Sequence, residues 1–305
     1  MARITPRPGS PERGRQVQRR RSAWLVPVIL AGCLVPLVGL GIWQLTRTTT
    51  ANPMPQPIAT LDTQDVHALL WSPTAPDTVF FGHHGGMLKS VDGGRTWQPT
   101  ALTGVDAMSL AASPQIGERI YAAGHGVFRR SDDAGATWTA PPGQLEGADI
   151  HAFAQSPTDP DRLYALIASQ GILTSADGGA TWMPGSSAPA HAALAVSADG
   201  QRLLLGAEQG VQQSTDHGTT WRSLDAGLPR GAQVLALAVD PRGEAILAAT
   251  SEGLYRTGST DGIWTPTPLT GPVLAVAMSP AQPNVVLAID DQQRVYRSDD
   301  GGTTW

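Results

Sequence analysis

From about residue 60 onward, short apolar runs separated by turn residues fill the chain. VHALLWSP (66–73), TVFFG (78–82), GMLKS (86–90) and TWQPT (96–100) read as four successive strands, bounded by Gly, Pro, Asp and Ser. The same plan returns as DIHAFAQSP, RLYALIA, GILTS and TWMPG, and again as PVLAVAMSP, VVLAID, RVYRS and TTW. Four short strands per repeat predict an all-β fold, a six-bladed β-propeller of four-stranded blades over residues 59–305.

Aligning the first strands on the Ser or Asp that ends each one exposes two columns. One holds Ala68, Ser109, Ala152, Ala193, Ala236 and Ala275; the next holds Leu69, Leu110, Phe153, Leu194, Leu237 and Val276. Successive strand residues point to opposite faces, so each blade offers a small face and a large one, and neighbours can interlock. Trp305 follows the sixth third strand directly, leaving that blade short of an outer strand. QPIATL (56–61) is expected to supply it and close the ring.

The repeats share a sharper mark. SVDGGRTW (90–97), SDDAGATW (131–138), SADGGATW (175–182), STDHGTTW (214–221) and SDDGGTTW (298–305) all fit S-x-D-x-G-x-T-W. A sixth segment, TGSTDGIW (257–264), keeps Trp264 but lacks the Asp, and successive Trp residues lie 41, 44, 39, 43 and 41 apart. The carboxylates of Asp92, Asp133, Asp177, Asp216 and Asp300 suit backbone N–H groups across a tight turn. The fifth position is always Gly, which points to positive φ there. Trp97, Trp138, Trp182, Trp221, Trp264 and Trp305 then bury a ring beneath each turn.

Before the repeats the pattern changes. Residues 23–43 are uncharged and mostly apolar, and as a helix they would reach about 31 Å, one hydrocarbon thickness. Residues 23–45 are therefore expected to form a single transmembrane anchor. Residues 1–22, with seven Arg and one Glu, form a basic cytoplasmic tail, which places the propeller outside. Residues 46–58 form a Pro-rich linker. Leu30-Ala31-Gly32-Cys33 also resembles a lipoprotein signal, an alternative with the same topology. Cys33 is the only cysteine, so the propeller has no disulfide and no cysteine metal site. From residue 48 onward 13 Lys and Arg face 25 Asp and Glu, an acidic balance that excludes a nucleic-acid partner.

The boxed segments resemble the BNR or Asp-box repeats of sialidases, sortilin-type receptor domains and Hcf136/Ycf48-like photosystem II assembly factors. The resemblance spans about 245 residues. It implies that each box lies between third and fourth strands, on the face away from an active site, so the boxed Asp and Trp residues are structural. A sialidase needs an arginine triad, a Tyr–Glu nucleophile and an F/Y-R-I-P motif, and none is evident. Tyr121 and Tyr164 fall at equivalent second-strand positions, Tyr255 and Tyr296 at equivalent third-strand positions, as packing residues do.

The opposite face carries the candidate chemistry. Loops there hold Asp65, Asp106, Asp149, Glu208, Glu252, Asp290 and Asp291. Asp106, Asp149, Glu208 and Glu252 are the catalytic candidates if the chain is a glycoside hydrolase, which would need two carboxylates across a sugar. Six of the seven histidines map to the same face: His67, His83, His84, His125, His151 and His191. Together they form a candidate ligand-binding set, although His67 and His151 share a column with Met108, Leu235 and Leu274 and can be read as packing residues. No short ligand motif such as H-x-x-x-H occurs, so no metal and no cofactor is expected. The function expected is a membrane-anchored extracytoplasmic propeller that binds a protein or glycan on this face. The alternatives are a BNR-class glycoside hydrolase and an assembly factor for a membrane complex.

Overall fold

The structure, a computed structural model, describes residues 54–305 apart from 142, 144, 146, 190 and 259–261. The basic tail, the apolar segment 23–45 and most of the linker lie outside these residues. Among the described residues no helix is long and apolar enough to cross a membrane. The secondary structure is strands and turns, with one 3-10 turn at Pro114–Ile116.

Six antiparallel sheets follow one another along the chain and form the six blades. Blade 1 runs through Ala68–Trp71, Val79–His83, Gly86–Ser90 and Gln98–Thr103. Blades 3, 4 and 5 repeat this four-strand order. Blade 2 has three strands and only a bridge where the fourth should be, between Arg130 and Thr139. Pro141 follows closely, and proline cannot donate to a ladder.

Blade 6 shows how the ring closes. Its three C-terminal strands, Val273–Met278, Val286–Asp290 and Arg294–Ser298, are joined by Ala59–Thr60 from the other end of the described chain. Ile58 N–H donates to Val295 O at 2.8 Å and Leu61 N–H to Gln293 O at 2.9 Å. Leu61 is buried among residues of blades 1 and 6. The first and last blades are thus fastened by hydrogen bonds and an apolar anchor.

The core is divided rather than central. Six apolar clusters each join two adjacent blades around the ring. The second strands explain the division, because they are buried on both faces. Phe81 packs in the cluster shared with blade 6, while its neighbour Phe80 packs in the cluster shared with blade 2. Tyr121 and Tyr164 are fully buried there. Polar bonds also cross between blades: Ser109 Oγ donates to Phe153 O at 3.1 Å and accepts from Phe153 N–H at 3.0 Å.

The S-x-D-x-G-x-T-W segments form the turns between third and fourth strands. In the first, Asp92 Oδ1 accepts from Ser90 Oγ (2.8 Å) and from Arg95 and Thr96 N–H (3.0 and 2.9 Å), and Oδ2 accepts from Thr96 Oγ1 (2.6 Å). Ser90 Oγ accepts from Gly94 N–H at 2.9 Å, and the Trp97 indole donates to Gly94 O at 2.9 Å. The fifth-position glycines sit at φ 86–93°. The sequence pointed to positive φ at that position alone, but the fourth is left-handed too, with Ala134 at φ 54° and His217 at φ 58°. Those values fall in the left-handed well that other residues tolerate, while φ near 90° lies beyond it. Trp264, whose segment lacks the Asp, donates instead to Leu224 O of the preceding blade at 2.6 Å.

Two outcomes follow. Deleting residues 48–62 removes the outer strand of blade 6 together with Leu61, and thermal unfolding should shift down by about 5 °C or more; an unchanged midpoint would show that another segment closes the ring. Hydrogen bonds from the Thr137 and Thr181 hydroxyls hold Asp133 and Asp177 at about 2, against an ordinary 3.8. Burial pushes Asp92 up, but its bonds from Thr96 and Ser90 outweigh that and bring it to about 2 as well. Folded-state values below the unfolded one mean stability that is complete above about pH 4 and lost as pH falls towards 2. Melting temperature against pH should show this loss, and Asp133→Asn with Asp177→Asn should flatten it.

Candidate functional site

In an antiparallel blade, first-strand starts and the hairpins between second and third strands share one face, and the boxed turns take the other. On the first face the axial channel opens through a cavity of about 180 Å³ lined by His67, Met108, His151, Ala192, Leu235 and Leu274. The column that joined histidines to apolar residues in the sequence is therefore a ring around this mouth.

Three acids precede first strands at one repeated position, as Asp65-Val66-His67, Asp106-Ala107-Met108 and Asp149-Ile150-His151. Residues two apart in an extended segment share a side, so each acid is set beside its column residue at the mouth. Two glycines bring the middle acid close. A Cβ at Gly82 would run into the Ala107 carbonyl oxygen, and one at Gly124 into that of Asp106. The Asp106–Ala107 segment is thus wedged between second strands of blades 1 and 2, and Ala107 N–H donates to His83 O at 3.2 Å.

Imidazoles and carboxylates then alternate across three blades. Asp65 contacts the Nδ1 of His84 and lies 3.2 Å from His67 Nε2. Asp106 lies 3.2 Å from His67 Nε2, 3.4 Å from His84 Nε2 and 2.7 Å from His125 Nδ1. Asp149 lies 3.3 Å from His125 Nε2 and 3.2 Å from His151 Nε2. His151 Nδ1 in turn meets His191 Nδ1 at 3.2 Å. The chain grades from inside to outside: the Asp106 side chain is 11% exposed, that of Asp149 52%. Burial lowers the proton affinity of His67 below its ordinary value even though Asp106 attracts a proton to it.

Other candidates stand apart. His83 stacks on Phe81 with centroids 5.8 Å apart, and its Nδ1 accepts from Gly85 N–H at 3.0 Å. The strand ends at His83, and His84 in the turn that follows is the one of the pair that reaches the chain. Glu208 and Glu252 are exposed on the hairpins of blades 4 and 5. Asp291 is exposed too. Asp290 is buried and serves its own hairpin, accepting from the N–H groups of Gln292 and Arg294 at 3.0 and 2.9 Å and pairing with Arg294 Nη2 at 2.6 Å. The sequence ranked Asp65 only among the face's acids. The repeated D-x-H spacing was the signal for its place beside His67 and His84.

No family model matches the chain, and no curated protein sequence does. Solved structures share the fold. The GH74 xyloglucanase from Xanthomonas campestris is similar at 21% identity and a TM-score of 0.57, covering 82% of this chain and 46% of its own. The GH74 enzyme of Niastella koreensis is 16% identical with a TM-score of 0.61, covering 83% and 46%. The chain therefore spans about half the length of these enzymes. Ycf48 from Cyanidioschyzon merolae is 18% identical with a TM-score of 0.52, and 83% of this chain matches 87% of that one. A second Ycf48 structure, at 15% identity and a TM-score of 0.51, is bound to a D1 peptide.

Asp290 offers a control for the site. Asp290→Ala leaves the Arg294 guanidinium and two hairpin N–H groups without their acceptor, and should cost roughly 2 kcal/mol in denaturant unfolding. Ligand binding at the histidine face should stay unchanged in the same variant; a loss there would extend the site to blade 6.

Proposed function

We propose that this chain is a membrane-anchored, extracytoplasmic propeller that binds a protein or glycan at the histidine-rich mouth. Residues 23–45 serve as the anchor and 1–22 as its cytoplasmic flank, on the apolar length and the arginine bias of that sequence. Cys33 gives the lipoprotein alternative with the same topology. The boxed turns are read as Asp boxes of the BNR type, on their sequence and on the carboxylate that closes each turn.

One observation carries the binding reading. The carboxylates at the mouth are interleaved with imidazoles rather than set across a gap, with His125 between Asp106 and Asp149 at 2.7 and 3.3 Å. A sugar placed between those two acids would have to displace that ring, whereas a glycosidase keeps the space open. The lined surface offers donors and acceptors to a ligand laid over it. The peptide held by a Ycf48 propeller supports a protein ligand, and with it the role of assembly factor for a membrane complex. The GH74 likeness keeps glycoside hydrolysis as the second reading, with Asp106 and Asp149 as its carboxylates.

The discriminating experiment offers the full chain in detergent to a glycan array, a panel of β-glucan and xyloglucan oligosaccharides, and solubilised membrane proteins. Binding without turnover is expected, weakened about tenfold or more by His125→Ala with His151→Ala. Turnover that disappears in Asp106→Asn or Asp149→Asn would replace the binding reading with the hydrolase. Protease access to the propeller in sealed vesicles of known orientation tests the topology.

A further inference from the structure

Asp65 and Asp106 are the least exposed acids of the histidine–carboxylate chain, at 19% and 11% of their side-chain surface. Among the described residues their only ion-pair partners are histidines. Asp65 Oδ2, His67 Nε2 and both Asp106 carboxylate oxygens are buried atoms without a hydrogen-bond partner. Asp65 Oδ1 accepts from His84 N–H at 3.0 Å, which leaves its buried Oδ2 and both Asp106 oxygens facing imidazole nitrogens, a costly arrangement unless a positive charge lies between them.

The spacings specify the cation. His67 Nε2 lies 3.2 Å from Asp65 Oδ2 and 3.2 Å from Asp106 Oδ1, and His84 Nε2 lies 3.4 Å from Asp106 Oδ2. Two ligands on one tetrahedral ion with bonds of 2.0–2.1 Å are separated by about 3.3 Å. These pairs therefore have the separation of ligands sharing an ion. Asp65, His67 and His84 offer three ligand atoms within 4.8 Å of one another. His84 groups in the same way with Asp106 and His125, and one blade further on His125 groups with Asp149 and His151. In that last group the acid is half exposed.

We propose that Asp65, His67 and one ring nitrogen of His84 bind a single divalent transition-metal ion of the zinc class, with Asp106, 3.2 Å from His67 Nε2 and 3.4 Å from His84 Nε2, turning in as the fourth ligand. Two imidazoles and two carboxylates suit Zn²⁺ or Co²⁺ better than Mg²⁺ or Ca²⁺, which prefer all-oxygen sets. The two carboxylates cancel the ion's charge. Three ligands come from blade 1 and the fourth from the segment leading into blade 2, so the ion staples two neighbouring blades at the channel mouth. The site stands whichever macromolecule the mouth binds, and its test needs no such ligand.

The full chain in detergent is stripped with EDTA and titrated with Zn²⁺ by calorimetry and with Co²⁺ by visible absorption. One equivalent should bind, Co²⁺ should give the intense d–d bands of a tetrahedral site, and the melting temperature should rise with Zn²⁺. His67→Ala with His84→Ala should abolish stoichiometric binding, and Asp106→Asn should weaken it about tenfold or more while keeping side-chain volume. His83→Ala should bind as the parent does. No stoichiometric Zn²⁺ or Co²⁺ uptake by the parent, or equal uptake by a folded Asp106→Asn and the His67/His84 variant, would overturn the proposal.

Discussion

A blade of this protein cannot satisfy itself. Its second strand is apolar on both faces, and each face is covered only by a neighbouring blade. Every core cluster is therefore an interface, and six interfaces require a closed ring. An open ring would leave the Leu69–Phe81 side of blade 1 and the Ala275–Leu287 side of blade 6 in water. The Ala59–Thr60 strand matters for that reason: it ties the N-terminal side of the described chain to the third strand of blade 6 at the one seam where no covalent connection passes from one blade to the next.

The boxed turns answer a local form of the same constraint. A tight turn from third to fourth strand strands several N–H groups, and the Asp carboxylate and Ser hydroxyl accept them. The turn then packs against a neighbour rather than standing free. A Cβ on Gly94 would come within 2.8 Å of Leu287 in blade 6, and one on Gly218 within 3.6 Å of Ile172 in blade 3. Box and interblade core thus hold one another. The five acids each accept hydrogen bonds from their own turn.

How much of this the sequence disclosed depends on the range of each interaction. Strand order, the box, the paired small and large columns and the closing segment all follow from local periodicity, and the structure has them where the pattern put them. The weak fourth strand of blade 2 turned on Pro141, a single residue inside an otherwise regular repeat. At the mouth, five of the six histidines join one chain, and the end of the strand at His83 separates that residue from His84 in the following turn. The pairing of His125 with acids of two different blades was not readable, because it depends on how far one blade is rotated from the next.

The two faces differ in how their carboxylates are satisfied. On the box face each Asp accepts hydrogen bonds from its own turn, and these hold its proton affinity low. On the mouth face Asp65 and Asp106 meet the imidazoles of His67, His84 and His125 instead. The metal ion proposed for this set is the positive charge that would complete it. The same repeated scaffold therefore carries self-satisfied carboxylates in five of its boxed turns and histidine-facing ones at the other end of blades 1 to 3. That asymmetry, more than the number of acids, is the reason the mouth is the end proposed to bind a ligand.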